Sequence, residues 1–283
     1  GEIALSLKKK NKVSFFWAGY ALPWNDWDLG FYLKLLGGSY ENKIIKFKEV
    51  LSNQGVQIDE PNLNINYNKL YKWSDKFQGD LKLLKKYKYD NIYLGAGAAS
   101  SIISFLKNEN VNTDKYRKEI RNLLFSSAIV YERTKKYLTE NKFNKIYTFN
   151  NRFATCYPII CAANNLNIKT IRHERGSDLS KYELYEKDVH NMELTKKSFD
   201  NYWKKNKKFN KIPKSKKYFL NKRKGVDVNN KSSKSYISNQ IKGYLPELPK
   251  NKRIVTFFTS RDYEKASIVD MEFNQFKVFK KFK

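Results

Sequence analysis

The sequence predicts an α/β protein in which helices flank a mainly parallel sheet. Short apolar segments typical of buried strands alternate along the chain with segments that carry apolar residues at helical spacing. Such alternation is typical of βαβ units, whose strands lie parallel in one sheet. Apolar residues make up 41% of the 283 residues and aromatic residues 16%. This composition is sufficient for a sizeable core and excludes a wholly disordered chain.

The positions of the strands and helices follow from the apolar spacing. Five short apolar segments are predicted to be strands: 12–18, 91–94, 145–149, 168–173 and 253–258. Helical spacing predicts an opening helix and further helices in parts of 32–51, over 71–86, from about 101 to 106, from about 113 to 140, up to about 165, and over 189–205. Residues 53–68 are polar and are predicted to be irregular. Because one helix separates 145–149 from 168–173, we expect these strands to be parallel neighbours.

The net charge of the chain is +28, from 56 Lys and Arg against 28 Asp and Glu. Residues 204–253 hold 17 Lys and Arg and 2 Asp and Glu, a net charge of +15, and their composition predicts an exposed linker with some local structure. Three causes can produce such a charge: a nucleic-acid partner, an anionic membrane or phosphate-bearing substrate, or a low-GC gene that fills surfaces with Lys and Asn. Lys far outnumbers Arg, which is the residue preferred for bidentate phosphate and base contacts.

Cysteine content and hydropathy indicate a protein of a reducing compartment. The two cysteines, Cys156 and Cys161, have no cluster of His or Cys near them, so neither a disulfide framework nor a zinc site is expected. No apolar run reaches the roughly 18 residues of a membrane-spanning helix, and the first residues do not form a secretory signal. We therefore expect a cytoplasmic location.

Two amides and a guanidinium follow the predicted strand 145–149. Asn150, Asn151 and Arg152 lie at the carboxyl end of that strand, and ligands bind at such ends in α/β sheets. Together these side chains offer several oriented donors for a sugar or a phosphate. The alternative is a polar turn in which asparagine caps the following helix.

The next predicted strand also ends in charged groups. His173, Glu174, Arg175 and Gly176 follow one another there. The two arginines nearby favour an ionised carboxylate, and an imidazole can exchange protons near neutral pH. Glycine permits a close approach to a ligand. The alternative is a salt-bridged strand end without a ligand.

Three further segments contribute candidate residues. Gly95 and Gly97 are predicted to lie in a turn between a strand and a helix, where an anion can bind, or where small residues simply allow close packing. Asp26 lies in a loop with two tryptophans and is either a base toward a sugar hydroxyl or a surface residue. Ser260 and Glu264 follow the last predicted strand and can cap a helix and meet phosphate oxygens.

These motifs together resemble capsule-polysaccharide glycosyltransferases of the GT-B architecture. The resemblance rests on the segments Phe-Asn-Asn-Arg-Phe at 149–153, His-Glu-Arg-Gly at 173–176 and Phe-Phe-Thr-Ser-x-Asp-x-Glu at 257–264. The loop Leu-Pro-x-Asn-Asp at 22–26 also fits, so the resemblance covers most of the chain. The chain departs from the family pattern at two positions: Asn151 stands where the family commonly has Gly, and Arg261 where it commonly has Ser.

The resemblance implies two Rossmann-like domains with the active cleft between them. The expected division is an acceptor-side domain over 1–203, a basic linker over 204–252, and the beginning of a nucleotide-sugar domain over 253–283. The chain is then expected to be truncated at both ends. Such an enzyme transfers a sugar from a nucleotide-sugar donor to a surface polysaccharide or a lipid-linked glycan. It needs no metal or cofactor. The concentrated, Lys-rich charge of 204–253 separately predicts an electrostatic contact with the inner face of the cytoplasmic membrane, which is anionic, and no recognition of a specific nucleic acid.

The resemblance also assigns roles to the candidate residues. Glu174 and His173 are the expected bases toward the acceptor hydroxyl, with Asp26 behind them, and the remaining candidates are expected to bind substrate. We expect Asn150, Arg152, His173, Glu174 and Arg175 to converge on one concave surface. Two alternatives of other classes remain: a basic protein that binds single-stranded nucleic acid, with aromatic side chains stacking on bases, and a non-catalytic polysaccharide-assembly protein.

Overall fold

A computed structural model of the chain describes residues 1–24, 39–175, 181–206, 211–223 and 262–268, together with the single residues 247, 251 and 253. Its residues fall into two compact units. The first unit comprises Gly1–Ile171 and Arg261–Lys283, and the second comprises Arg172–Ser260. The division at residues 203 and 252 that the resemblance implies stays a prediction.

Helices predominate in the first unit. In chain order its elements are α1 (Glu2–Lys8), β1 (Ser14–Phe16), α2 (Ser39–Asn53), β2 (Gln57–Asp59), α3 (Tyr67–Asp75), α4 (Leu81–Lys85), α5 (Leu94–Leu106), α6 (Arg117–Glu140), β3 (Lys145–Phe149), α7 (Tyr157–Asn165) and the first residues of β4 (Lys169–Arg175), and α10 (Asp262–Ala266) also belongs to it. The second unit holds the last four residues of β4, β5 (Tyr182–Tyr185), α8 (Met192–Lys205) and α9 (Lys211–Arg223). The described part of the chain is therefore of the α/β class.

Helix α6 is the centre of the core. Its residues Ile120, Leu123 and Leu124 recur at helical spacing and pack with Ile102 and Ile103 of α5 in one buried cluster. In a second buried cluster, Ile129 and Tyr131 from the next turns of α6 pack with Leu70 of α3, Leu94 of α5 and Ala162 of α7. Each such aliphatic side chain contributes about 1.5–3 kcal/mol when it is fully buried. These two clusters fix the positions of α5 and α7, which border the predicted site.

A small parallel sheet lies at the C-terminal end of α6. Strand β1 pairs with β2, with Phe16 opposite Asp59. The Phe16 ring stacks on the ring of Tyr137, with centroids 4.0 Å apart, and the Tyr137 hydroxyl donates a hydrogen bond to Asp59 Oδ2. One tyrosine of α6 therefore anchors both strands.

A buried arginine holds the chain that leaves β1. Arg133 of α6 is buried, and its guanidinium donates to the carbonyl oxygens of Ala18 and Tyr20 and to the Tyr67 hydroxyl. These three acceptors offset the cost of removing the charge from water. Arg133 thereby links β1, α3 and α6.

Strands β3 and β4 are neighbours in a three-stranded sheet, which confirms that part of the prediction. Helix α7 connects them, with Pro158 in its first turn, where a missing backbone N–H breaks no helical hydrogen bond. Strand β5 runs antiparallel to β4, with Arg172 opposite Tyr185 and Glu174 opposite Glu183. So few residues separate β4 from β5 that they can only form a hairpin, because a parallel connection requires about a dozen residues or more.

The described strands form two small sheets, one parallel and one containing an antiparallel pair, rather than one mainly parallel sheet. A Rossmann-like arrangement stays a prediction. The predicted strand 91–94 is wrong. Tyr89 and Ile92 pair across a tight turn in which Asp90 and Asn91 both have positive φ, and helix α5 begins at Leu94.

Further differences concern helix ends and one short strand. The predicted helix 71–86 is two helices, because Gly79 has φ +137° and Asp80 caps a new helix by accepting from Leu83 N. Strand β2 lies inside 53–68, which was predicted to be irregular. Of the predicted strand 253–258, only Arg253 belongs to the described residues. No helix within the described ranges is long and apolar enough to cross a membrane.

Candidate functional site

The chain leaves β3 through an asparagine in the left-handed region. Asn150 has φ +49°, a conformation that asparagine tolerates better than most residues, and its side chain is buried. Its Oδ1 accepts a hydrogen bond from Asn151 N at 2.6 Å. This local bond ends the strand and turns the chain toward α7.

Asn151 is 7% exposed, and its Oδ1 atom has no hydrogen-bond partner among the described residues. A buried acceptor without a donor costs free energy, of the order of 1–3 kcal/mol. A ligand that supplies a hydroxyl or amide donor recovers this cost. Asn151 therefore presents a buried acceptor that a polar ligand can satisfy.

Arg152 is partly buried and contacts an element far along the sequence. Its Nη1 donates to Ser267 Oγ at 3.1 Å, and its guanidinium lies over the Phe153 ring, 4.4 Å from the centroid. Ser267 Oγ in turn donates to the carbonyl oxygen of Glu264, at 2.9 Å. Glu264, a predicted site residue, is exposed on α10 within the same compact unit as Asn150, Asn151 and Arg152.

Serines from two helices hold the segment that follows. Ser101 Oγ of α5 accepts from Ala154 N at 2.9 Å, and Ser127 Oγ of α6 donates to Ala154 O at 3.0 Å. The carbonyl oxygen of Ser267 accepts from Ser100 Oγ. Both backbone groups of Ala154, two residues after Arg152, are therefore bound by buried side chains.

The structure gives Gly95 and Gly97 a packing role. Both are buried within α5, so the predicted turn between a strand and a helix is wrong. A Cβ on Gly95 would lie 1.9 Å from the Leu84 carbonyl oxygen, and one on Gly97 would lie 3.2 Å from the Phe153 carbonyl oxygen. The glycines let α5 approach α4 and the Phe153 backbone closely.

In the second unit, His173 and Glu174 lie within a strand rather than beyond its end, because β4 continues to Arg175. Consecutive strand residues point to opposite faces, so the imidazole and the carboxylate cannot act together on one atom as the sequence suggested. Burial lowers the pKa of His173, although the adjacent Glu174 opposes this shift, so the neutral imidazole is favoured.

Glu174 shares its face of the hairpin with a second carboxylate. It lies opposite Glu183, and Tyr185 on the same face donates to Glu183 Oε2 at 2.8 Å. Burial, followed by the hydrogen bond to Glu183 and the charges of both glutamates, raises the pKa of Tyr185 to about 12. The face thus combines two carboxylates with a tyrosine hydroxyl.

Arg172 supplies positive charge on this face, two residues before Glu174. It is buried, and its Nη1 donates to the carbonyl oxygen of Glu186 at 2.9 Å. Its Nε has no hydrogen-bond partner in the part of the chain that the structure describes.

Several predicted site residues do not belong to the described part of the chain. Asp26, Gly176 and Ser260 are outside the described residues, and Arg175 is described only as part of β4, without its side chain. The expectation that residues after β3 and residues of β4 converge on one surface stays a prediction. Among the described residues, no group of three or more His, Cys, Asp or Glu can hold a metal ion.

Sequence reasoning missed Ser267, Ser101, Glu183 and Tyr185. Ser101 lies in the small-residue segment 95–101, but its bond to Ala154 has no local signal. Ser267 is 115 residues from Arg152, so only tertiary structure joins them. Glu183 and Tyr185 could have been found from alternation along a second strand after Gly176.

The comparisons with known proteins leave the family open. The chain matches no protein-family model, and neither the curated proteins nor the solved structures include a significant match to it. Any functional assignment therefore rests on the residues themselves and on the resemblance of their motifs.

Proposed function

We propose that this chain belongs to a glycosyltransferase that transfers a sugar from a nucleotide-sugar donor to a surface-polysaccharide or lipid-linked glycan acceptor. The Rossmann-like GT-B architecture forms part of this proposal. The motif resemblance suggests the reaction, and one structural observation supports it most strongly. That observation is the buried Asn151 Oδ1, which has no donor among the described residues, in the segment that the resemblance assigns to substrate.

The fixed geometry of this segment suits sugar recognition. Sugars present several hydroxyls, each both donor and acceptor, and they are distinguished by side chains held in place beforehand. A hydroxyl donating to Asn151 Oδ1 would satisfy the buried acceptor. Arg152, anchored on Ser267 and Phe153, adds a guanidinium that binds a phosphate or a sugar hydroxyl.

Glu174 is the proposed base. In the transfer step its carboxylate takes the proton of the acceptor hydroxyl, whose oxygen forms the new bond to the anomeric carbon. The bond from that carbon to the donor phosphate breaks, and the nucleotide leaves with the electron pair. Guanidinium groups stabilise the charge that develops on the leaving phosphate. The buried Arg172 lies on the same face of the hairpin, two residues before Glu174.

A panel assay tests the proposal. The protein in its full reading frame is incubated with nucleotide sugars of each common base and with lipid-linked glycan acceptors, and nucleotide release and acceptor mass are measured. We expect one donor to release nucleotide only when acceptor is present, with an acceptor mass gain of one sugar. Arg152→Ala should raise KM for the donor or the acceptor far more than it lowers kcat. Absence of transfer and of ligand-dependent thermal stabilisation across the whole panel would overturn the proposal.

A further inference from the structure

Helix α8 presents an aromatic face to solvent. Every residue from Lys196 to Lys205 is exposed, including Phe199, Tyr202 and Trp203. These three aromatic residues are spaced i, i+3 and i+4, so they share one face of the helix. The Phe199 and Trp203 rings stack, with centroids 5.8 Å apart. They therefore form one continuous apolar patch.

Helix α9 repeats this pattern with stronger positive charge. It carries five Lys, one Arg and no acidic residue. Ile212 is 78% exposed and Phe219 64%, and their spacing of seven residues places them on the same face. Tyr218 and Leu220 are exposed on either side of Phe219. Large apolar side chains thus lie among lysines on this helix as well.

Clusters of large exposed apolar side chains are commonly sites of interaction with a protein, a membrane or a ligand. The charge indicates an anionic occupant, because Lys196, Lys204 and Lys205 accompany the aromatic residues of α8. Lys197 is paired with Glu193, 2.9 Å away, on the side of α8 away from the aromatic face. Asp200 is the other acidic residue of α8, so four Lys against two acidic residues leave this helix a net charge of +2, and α9 adds six basic residues and no acidic one.

The side-chain types distinguish a lipid surface from a nucleic acid. Trp and Tyr favour the boundary between water and hydrocarbon, and lysine can place its stem along that boundary while its ammonium reaches a headgroup. Aliphatic side chains such as Ile212 and Leu220 gain from contact with acyl chains, whereas single-stranded nucleic acid binds by stacking on aromatic rings. Lysine supplies charge without the bidentate geometry by which arginine recognises bases.

We propose that α8 and α9 form a membrane-docking surface, in which the aromatic face of α8 and the Ile212–Phe219 face of α9 enter the headgroup region of an anionic bilayer. The sequence predicted only an electrostatic contact through the basic stretch 204–253. The structure adds insertion of specific apolar side chains and extends the contact to α8. The inference does not depend on sugar transfer, and it places the protein where a lipid-linked acceptor resides.

Vesicle binding of the 283-residue chain tests the proposal. Co-sedimentation is measured with phosphatidylcholine vesicles and with vesicles containing 30% phosphatidylserine. We expect binding to the anionic vesicles at 0.1 M salt, at least tenfold weaker binding at 0.5 M salt, and little binding to neutral vesicles. A blue shift of tryptophan emission should accompany binding, and Trp203→Phe should remove most of this shift.

A double variant separates insertion from charge. Phe199→Ser with Trp203→Ser changes two exposed side chains without altering net charge, and it should lower the partition coefficient at least tenfold. The matched control is Ile45→Ser with Val50→Ser on α2, which removes two apolar side chains of similar exposure in the other unit and should leave binding unchanged. Circular dichroism and thermal midpoints check that both double variants remain folded.

Three outcomes would overturn the docking surface. The first is equal vesicle binding by the Phe199 and Trp203 double variant and the unaltered chain. The second is tighter binding to a 30-nucleotide oligothymidylate than to anionic vesicles at matched salt, with loss of that binding in the double variant, which would assign the surface to nucleic acid. The third is a concentration-dependent dimer that the double variant abolishes, which would assign the surface to a second copy of the chain.

Discussion

The Arg152 guanidinium donates to the Ser267 hydroxyl at 3.1 Å and so joins the exit of β3 to the end of α10 across 115 residues of sequence. Ser267 also donates to the Glu264 carbonyl and accepts from Ser100 through its own carbonyl. A short helix far along the chain is thus part of the frame around the candidate substrate-binding segment.

Removal of the Ser267 hydroxyl should loosen this frame. Ser267→Ala deletes the acceptor of Arg152 and the donor to Glu264, so we expect a loss of about 1–3 kcal/mol in the free energy of unfolding, measured in urea. Ser6→Ala, at an exposed position of α1, is the control and should change nothing. Equal stability of the two variants would show that the contact contributes nothing to folding.

The two glycines of α5 should respond unequally to a methyl group. Gly95→Ala places a Cβ 1.9 Å from a backbone oxygen and should destabilise the protein by about 3 kcal/mol, the upper part of the usual range for overpacking. Gly97→Ala meets its nearest atoms at 3.2 Å, and the helix propensity gained, about 1 kcal/mol, should offset much of the strain. Thermal unfolding of both variants measures the difference. A Gly95→Ala variant that is as stable as the unaltered chain would refute the close approach of α4 and α5.

The hydrogen bond from Tyr137 to Asp59 should make stability depend on pH. Burial acts to raise the pKa of Asp59, but hydrogen bonds from Tyr137 and other groups outweigh it and hold the pKa below its ordinary value. A carboxyl whose pKa is lowered by folding stabilises the protein above the unfolded-state pKa, and this contribution is lost as pH falls through the folded-state pKa.

Tyr137→Phe should therefore cost about 1.5–3 kcal/mol at pH 7 and less below pH 3, measured by urea unfolding at both pH values. Tyr93→Phe, at an exposed tyrosine, serves as the control. A cost that is the same at both pH values would show that the Asp59 charge is not involved.

His173 should titrate below the ordinary histidine range. Burial lowers its pKa, so the unfolded chain binds the proton more readily, and stability should fall as pH drops below about 6.5. The chain has two histidines, so its imidazole proton resonances are few, and His173→Gln identifies which one belongs to residue 173. An NMR titration midpoint at or above 6.5 would contradict the burial of this side chain.

Local patterns in the sequence located the elements around the site but not the contacts between them. Strand β3 and helix α7 were predicted well, because apolar spacing and Pro158 are local signals. The Gly95–Gly97 segment misled prediction, since small residues suit a phosphate-binding turn and close helix packing equally. In this structure Gly95 lies so close to the Leu84 carbonyl that close helix packing explains the glycine.

Strand alternation and tertiary pairing explain why the sequence did not predict the arrangement of side chains on β4. The sequence placed His173 and Glu174 at a strand end, where both could face one ligand. The hairpin with β5 extends the strand to Arg175 and separates their faces. Because hairpin pairing depends on residues after Gly176, the cross-strand neighbour Glu183 could not be assigned to Glu174 from the β4 segment alone.

Glu174 is the proposed base in glycosyl transfer, and the kcat of Glu174→Gln in the full reading frame tests this role most directly. Glu183→Gln, which alters the exposed carboxylate directly opposite on the hairpin, is the matched control. We predict that Glu174→Gln lowers kcat by about 100-fold or more without changing the free energy of unfolding, the usual effect of losing a general base. Glu183→Gln should keep kcat near that of the unaltered enzyme. A Glu174→Gln protein whose folded fraction is fully active would contradict the role of Glu174 as the base and leave it with a structural role.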